Sequence, residues 1–406
     1  MNYRDVARNT SIRNRFRCLS AIDQRKCDFL KKSSFILLSR LHREEDPASR
    51  ESIIYKLKML CGLSLGIRLD TYDNIPRPIR LSVLLENLTY PFCKEFLRFR
   101  KEDIHHFFVL LNFSNVCIFD NRATMSGEEV FIRGLYELCT GEKKTSIAEK
   151  FGCHPSDQSR SFHYFINYLY HRFHHLVDNN LEWWRDTGLL DRSCAALVEK
   201  IGKLDDRLFV GFIDCNCLET DRPGGGPCEA GSNARRWNVE VQRAYYNGWK
   251  SIHGLKHQTV DNCLGFTMDI YGPVSLRRND LTLFRDSNIN ERLGNLGNWY
   301  IFGDSAYQTA GRCASNNNNQ IFNRAMKSTR ISIEWNYMTT VTLFPYVGDK
   351  RKFKILSTDV VSHIYVVATF LRNCHSFYYG NETRHYFNVM LPNSMLECYI
   401  KQKVSL

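Results

Sequence analysis

Hydrophobic and polar positions divide the chain into three regions with different periods. Residues 1–95 give only patchy helical signals, interrupted by the proline-containing break Ile75-Pro76-Arg77-Pro78. Residues 96–195 place apolar side chains at spacings of three and four, the period of amphipathic helices. Residues 205–390 contain short continuous apolar runs and alternating runs, which are typical of strands in an α/β domain. We therefore expect a basic helical leader, an all-helical region and an α/β domain, in that order.

Three successive helices are predicted in the second region. An apolar-periodic run over 130–138 ends before Gly141, and a short helix over 145–151 is closed by Gly152. Pro155 then suits the first position of a longer helix. That helix carries an apolar stripe formed by Phe162, Phe165, Ile166, Leu169 and Phe173.

A short helix, a glycine turn and a longer helix are the outline of a helix-turn-helix motif. The second helix of such a motif enters the major groove of DNA with residues near its start, which here include Gln158 and Arg160. Both side chains are therefore candidates for DNA contacts. A plain helical bundle, in which neither side chain contacts DNA, fits the same pattern.

The third region opens with three strand patterns. The continuous apolar run over 208–213 stops at Asp214. Residues 251–260 alternate as an antiparallel strand would, and residues 264–271 follow as a third strand after a turn at Asp261-Asn262. Adjacent strands joined by short turns predict a meander.

Helical patterns and a fourth strand complete the third region. Helices are predicted over about 280–293, 322–344 and 358–373, and Trp299–Phe302 is a strand that leads to Asp304. Three strands, a helix, a strand and then helices is the order of an RNase H-like α/β core. We therefore predict a mixed sheet flanked by helices.

Two of the predicted strands end on a carboxylate, Asp214 and Asp304. If the strands are neighbours, two ionised groups meet at one sheet edge, where they repel each other and are costly to desolvate. A divalent cation resolves both problems, since Mg²⁺ binds carboxylate, water and phosphate oxygens. Gly303 before Asp304 would allow DNA or a metal to approach the backbone closely. Both aspartates are therefore candidate metal ligands.

Glu334 is the candidate third ligand. It follows Ile331 by three residues and precedes Met338 by four, which predicts a position on the apolar stripe of its helix. Trp335 beside it would pack on the sheet. The alternative is purely structural, because Arg330 lies one turn upstream and could pair with Glu334.

Four blocks of sequence, in this order, resemble the DDE endonuclease domain of PIF/Harbinger-type transposases. They are GFIDCNCLETDRPGG around Asp214, YNGWKSIHGLK over 246–256, GDSAY over 303–307 and RISIEW over 330–335. The resemblance covers about residues 205–385, and residues 101–173 are similar to the helical region that precedes this domain in the family. The chain departs from the family at Cys215, where glycine is common, and at Asn336, Tyr337 and Met338, where small residues are common.

The resemblance implies an RNase H-like fold in which Asp214, Asp304 and Glu334 bind Mg²⁺ or Mn²⁺, as two ions about 3.5–4 Å apart. It also implies hydrolysis of phosphodiester bonds at transposon ends and transfer of 3′-hydroxyl ends to target DNA. The partners expected from the family are terminal inverted repeats, target DNA and a Myb-like protein, and a homo-oligomer is left open. A nuclear location goes with the DNA substrate.

Three cations in the resembling blocks are candidates for phosphate contacts. Lys250, Lys256 and Arg330 could clamp phosphates and neutralise charge in the transition state. Each could equally be a solvated cation without that role.

Charge and cysteine content narrow the function classes. The chain has 55 Lys and Arg against 43 Asp and Glu, a net charge of +12, which favours a polyanionic partner such as nucleic acid. The 15 cysteines contain no CxxC pair, and no apolar stretch reaches about 18–20 residues, so we expect reduced thiols, no structural zinc and no membrane span. A nuclease acting on RNA and a domesticated, non-cleaving derivative that binds DNA or a protein remain alternatives.

Overall fold

The structure, a computed structural model, describes residues 85–402 apart from 121, 204–205, 224–231, 308–310, 315–319, 356–359 and 393, and it leaves out the side chains of 232–238. The predicted leader and its proline break fall almost entirely before residue 85, outside the described residues. No helix in the described ranges is long and apolar enough to cross a membrane.

Helices fill the first part of the described chain, because apolar side chains recur on one face of each segment. They are α1 (Tyr90–Phe96), α2 (Lys101–Leu110), α3 (Gly127–Thr140), α4 (Lys144–Lys150), α5 (Pro155–Phe173), α6 (Leu181–Asp186) and α7 (Leu189–Ile201). Between α2 and α3, β1 (Val116–Ile118) and β2 (Thr124–Ser126) form a small antiparallel sheet.

The three predicted helices correspond to α3, α4 and α5. Gly141 ends α3 in the left-handed conformation with φ 62°, and Pro155 opens α5. All five side chains of the predicted apolar stripe of α5 are buried. Gly134 of α3 makes room for them, because a Cβ at this position would overlap the ring of Phe165. The close packing of α3 on α5 thus depends on a residue without a side chain.

The second part of the chain forms a mixed sheet. Its strands are β3 (Leu208–Glu219), β4 (Tyr246–Asn247), β5 (Ile252–Asn262), β6 (Thr267–Ser275), β7 (Trp299–Phe302) and β8 (Cys313–Ala314). β3 lies between β5, which is antiparallel to it, and β7, which is parallel to it. β8 continues the sheet beyond β7, and both β4 and β6 pair with β5. This arrangement confirms the predicted α/β class, an RNase H-like mixed sheet with flanking helices.

The helices of this part follow and flank the strands. They are α8 (Ser232–Tyr245), α9 (Asp280–Asp286), α10 (Ile289–Leu296), α11 (Gln320–Thr329), α12 (Ile331–Leu343), α13 (Val361–Tyr379), α14 (Glu382–Tyr386) and α15 (Met395–Ile400). Two predicted helices are divided. Asn288, with φ 51°, separates α9 from α10, and Arg330 separates α11 from α12.

Two strand ends differ from the prediction because pairing extends them. β3 continues beyond Asp214, since β5 pairs with it as far as Glu219 opposite Gly254. Asp261-Asn262, predicted as a turn, belongs to β5, and the chain turns at 263–266 instead. The meander of β3, β5 and β6 is nevertheless the one predicted in outline.

Helix α13 packs against both the helical region and the sheet. Phe370 of α13 stacks on Phe173 of α5 with ring centroids 5.1 Å apart, and Phe377 stacks on Phe266 at 4.3 Å. One cluster of buried residues, from Leu85 to Ile400, therefore runs through both parts. The boundaries predicted between the two regions remain a prediction.

Candidate active site

Asp214 and Asp304 lie at corresponding positions along two neighbouring strands of the sheet. β3 and β7 run in parallel with Phe212 opposite Phe302, and each aspartate follows its phenylalanine by two residues. The negative charge of Asp304 contributes to raising the pKa of Asp214, as expected of two carboxylates close together. The two aspartates predicted from the ends of apolar runs are therefore neighbours.

Asp304 is held by the turn that follows it. Its Oδ1 accepts a hydrogen bond from the backbone N–H of Ala306 over 2.9 Å, at a short 3₁₀ turn over Ser305–Tyr307. The ring of Tyr307 folds back onto Gly303, where a Cβ would lie 2.6 Å from it. The glycine thus makes room for a tyrosine of the same chain, rather than for DNA or a metal as the sequence suggested.

Asp214 is mostly enclosed, and each of its two carboxylate oxygens accepts a hydrogen bond. Its side chain is 22% exposed, its Oδ1 accepts from the N–H of Cys215 over 2.8 Å, and its Oδ2 accepts from Nη1 of Arg330 over 2.9 Å. Burial raises the pKa of Asp214, while the charge of Arg330 and the N–H of Cys215 act to lower it. The guanidinium therefore compensates part of the desolvation of this carboxylate.

Glu334 lies on the exposed side of α12, and its predicted place on a buried apolar stripe is wrong. Its side chain is 56% exposed, and the neighbouring Ile331 and Met338 are 43% and 65% exposed. The buried face of α12 is formed by Ser332, Ile333, Asn336 and Thr340. The rings of Trp335 and Tyr386 pack edge to face with their centroids 5.1 Å apart, whereas the sequence suggested that Trp335 packs on the sheet.

Arg330 lies between the carboxylate of Asp214 on the sheet and that of Glu334 on α12. Besides its contact with Asp214, its Nη2 lies 3.9 Å from Oε1 of Glu334. The ion pair with Glu334 that the sequence allowed is therefore present, but the shorter contact is with Asp214. One guanidinium thus faces two of the three predicted metal ligands.

The residues at this site fit a divalent cation by donor chemistry. Asp214, Asp304 and Glu334 offer only carboxylate oxygens, and all three are at least partly exposed. Within the described ranges, no group of three or more His, Cys, Asp and Glu side chains is arranged to hold a metal ion. In this arrangement the positive charge beside Asp214 and Glu334 comes from Arg330.

The two candidate lysines lie in different environments. Lys250 is exposed, with its Nζ 3.2 Å from Sγ of Cys217. Lys256 is buried, and its Nζ donates to the carbonyl of Arg278 over 2.7 Å and to Asp280 over 2.8 Å. A phosphate contact by Lys256 is contradicted by this placement, because the side chain is buried and two of its three N–H donors are used inside the protein.

The helix-turn-helix candidates are also divided. Gln158 is fully buried, and its Nε2 donates to Oε2 of Glu137 over 2.8 Å, so its predicted DNA contact is contradicted. Arg160 is 39% exposed and pairs with Asp157 over 2.7 Å. It lines a surface cavity of about 460 Å³ together with neighbours that include His171 and Arg172. A DNA contact by Arg160 stays a prediction, because the side chain is partly exposed but already paired with a carboxylate.

Contacts missed by the sequence analysis hold α12 on the sheet. Nδ2 of Asn336 donates to Oδ2 of the buried Asp261 over 2.8 Å, and the hydroxyls of Tyr337 and Thr259 lie 2.7 Å apart. Thr259 is the cross-strand partner of Asp214. The sequence did carry a signal for these contacts. Asn336 and Tyr337 depart from the small residues common in the family, and both side chains reach β5.

A comparison with known families matches the part of the chain that carries these carboxylates. Residues 214–373 match the family model of the DDE superfamily endonucleases. This part of the chain, called the DDE segment below, begins at Asp214 and includes Asp304 and Glu334. It covers less than half of the 406 residues, and no curated protein and no solved structure matches the chain significantly. The predicted relationship is thus supported at the level of the superfamily.

Proposed function

We propose that the protein is a metal-dependent DNA endonuclease, and that its DDE segment hydrolyses the phosphodiester bonds of DNA. The observation that carries this proposal is the placement of Asp214 and Asp304 beside each other at the ends of neighbouring parallel strands. The family match of the DDE segment supports the class of enzyme. The net charge of +12 suits a nucleic-acid substrate.

Three side chains would hold the cation, Mg²⁺ or Mn²⁺ and in the family's pattern two ions. Asp214 and Asp304 present oxygens from the sheet, and Glu334 adds its carboxylate from α12. When bound, such ions polarise the phosphodiester and lower the pKa of a water molecule. Asp304 accepts a hydrogen bond from the N–H of Ala306, whereas Glu334 is exposed and lies 3.9 Å from Nη2 of Arg330.

Arg330 has a second part in this proposal. Its guanidinium neutralises carboxylate charge before the cation binds, and it is a good donor to phosphate oxygens afterwards. The same residue would thus serve the resting site and the DNA-bound site.

The finer assignment is a PIF/Harbinger-type transposase, and it rests on the four resembling blocks. In that case the enzyme would cut transposon ends at the terminal inverted repeats and join 3′-hydroxyl ends to target DNA in the nucleus. A Myb-like partner protein and self-association belong to the same proposal.

Substitution of Asp304 tests the proposal directly. Asp304→Asn should abolish Mg²⁺-dependent cleavage of DNA, because the amide removes a charged ligand, while DNA affinity stays within about twofold. Asp206→Asn is the matched control, since that carboxylate is fully exposed outside the site. Cleavage that survives in Asp304→Asn at the wild-type rate would refute the proposed active site.

A non-cleaving DNA-binding or protein-binding derivative is the second candidate. The observation that favours it is the guanidinium of Arg330 beside Asp214 and Glu334, together with the lack of a ready three-ligand group in the described residues. Calorimetric titration of the folded protein with Mn²⁺ separates the two candidates. No binding at millimolar Mn²⁺ would support the non-cleaving derivative.

A further inference from the structure

The tight turn between β4 and β5 presents a tryptophan to solvent. Trp249 is 94% exposed, the highest value among the large apolar side chains of the described chain. An indole in water leaves a large apolar ring face without a partner. So exposed a ring at the tip of a turn is suited to contact another molecule.

The turn itself is ordered by an asparagine. Oδ1 of Asn247 accepts from the N–H of Lys250 over 3.0 Å, and its Nδ2 donates to the carbonyl of Leu276 over 3.0 Å. The turn is therefore fixed to the end of β6, and Trp249 is carried by a backbone that is hydrogen-bonded on both sides. The backbone that carries the ring therefore needs little further ordering when the ring binds a ligand.

A cavity with two arginines lies beside the turn that carries the tryptophan. A surface cavity of about 490 Å³ is lined by Arg243, Tyr246, Asn247, Gly248 and Arg277. Neither Arg243 nor Arg277 forms an ion pair with a carboxylate in the part of the chain that the structure describes. We call Trp249, Tyr246, Arg243, Arg277 and Lys250 the Trp249 surface.

The Trp249 surface borders the candidate active site. Nζ of Lys250 lies 3.2 Å from Sγ of Cys217, which follows Asp214 by three residues on β3. Three residues of a strand span about 10 Å. A DNA strand bound at the Trp249 surface could therefore reach the carboxylates within a few nucleotides.

We propose that the Trp249 surface binds unpaired DNA, with a base stacked on the indole and phosphates on Arg243 and Arg277. Exposed aromatic rings combined with a cationic groove are the chemistry of single-strand binding, because every base has a face to stack and every nucleotide has a phosphate. In a duplex both faces of an internal base are covered, so the ring requires an unpaired base. The identity of the ligand as DNA rests on the proposed function, whereas the stacking site does not depend on cleavage.

Binding measurements without metal test this inference. The full-length protein is titrated in EDTA into a fluorescent mixed-sequence single strand of about 20 nucleotides, and into the matching duplex. Trp249→Ala should weaken single-strand binding by about tenfold, as expected for one lost base stack, and should affect the duplex less. Trp249→Phe should keep most of the affinity. Met390→Ala, which removes another side chain with 84% exposure, should change nothing.

Salt dependence tests the arginines. Arg277→Gln should lower the slope of log affinity against log salt by about one phosphate contact. Thermal unfolding of each variant checks that the fold is retained, which we expect because Trp249 has almost no contacts to lose.

Two results would overturn the inference. One is equal single-strand affinity of Trp249→Ala and the wild type, and the other is no single-strand binding by the wild type. A change from dimer to monomer in Trp249→Ala, seen by gel filtration, would assign the surface to contact between copies instead. The nuclease proposal is judged separately, by the metal-dependent cleavage of the Asp304→Asn variant.

Discussion

The side chain of Asn336 donates a hydrogen bond to the buried carboxylate of Asp261 over 2.8 Å. Asn336 lies two residues after Glu334 on α12, and Asp261 lies on β5, the strand beside Asp214. Asp261 also accepts from the hydroxyl of Thr267, so its carboxylate has partners on both sides. The contact therefore fixes the helix that carries one candidate ligand to the sheet that carries the other two.

Removing this contact should destabilise the protein. Asn336→Ala leaves Asp261 with one hydrogen bond fewer in a fully buried position, which should cost about 1–3 kcal/mol of the free energy of unfolding. Urea denaturation measures this loss. Met338→Ala on the exposed side of the same helix should stay within about 0.5 kcal/mol. Equal stability of the two variants would show that Asn336 does not anchor α12.

Removing Arg330 should strengthen metal binding. Arg330→Gln takes away the guanidinium that pairs with Asp214 and reaches Glu334, so a divalent cation no longer competes with it. Mn²⁺ affinity should rise about fivefold, since an ion pair of this exposure contributes roughly 1 kcal/mol. Calorimetry measures the affinity, and Arg351→Gln, which breaks a pair with Asp349, is the control. A lower affinity in Arg330→Gln would mean that the arginine organises the ligands rather than blocking them.

A buried histidine should make stability fall in acid. Burial lowers the pKa of His257 to about 3, and neither ring nitrogen has a hydrogen-bond partner in the described structure. The unfolded chain binds this proton near pH 6.5, so the folded state loses stability as the pH falls from about 6.5 towards 3. At pH 5 the loss is about 2 kcal/mol.

Substitution isolates this effect from other titrating groups. His257→Leu cannot take up the proton, so its stability should fall by about 2 kcal/mol less than that of the wild type between pH 7 and pH 5. Urea unfolding at both pH values gives the difference. The same pH dependence in both proteins would contradict the assignment to His257.

Lys256 should contribute to the stability of the protein, whereas Lys250 should contribute to DNA binding. Lys256→Met leaves Asp280 without its partner near the protein interior and should cost about 1–3 kcal/mol of stability. Lys250→Met, at the exposed turn, should leave stability within about 0.5 kcal/mol and weaken DNA binding instead. Unfolding and binding curves for both variants test this. DNA affinity that falls in Lys256→Met at unchanged stability would restore Lys256 as a phosphate contact.

The sequence predicted the strands of the sheet correctly but not the buried face of α12. Continuous apolar runs are produced by burial on both sides, so the strands that lead to Asp214 and Asp304 could be recognised directly. The orientation of α12 could not, because its buried face packs on polar groups of β5. Asn336 and Thr340 are buried, while Met338 is exposed, so the apolar period indicated the wrong side.

The misplaced DNA contacts have a related cause. Gln158 and Lys256 are polar residues that pattern analysis places at the surface, yet each is buried against a carboxylate. Their partners, Glu137 and Asp280, lie 21 and 24 residues away along the chain. Such pairing depends on how elements meet in space, and no local period reveals it.

The location of Arg330 between α11 and α12 has a consequence for how two ligands affect each other. A DNA phosphate that attracts the guanidinium would release Asp214 and Glu334 to a cation, and a cation that takes those carboxylates would release the guanidinium to DNA. Each ligand would then raise the affinity for the other by the same factor, as thermodynamic reciprocity requires. Either ligand alone would therefore bind more weakly than it does in the presence of the other.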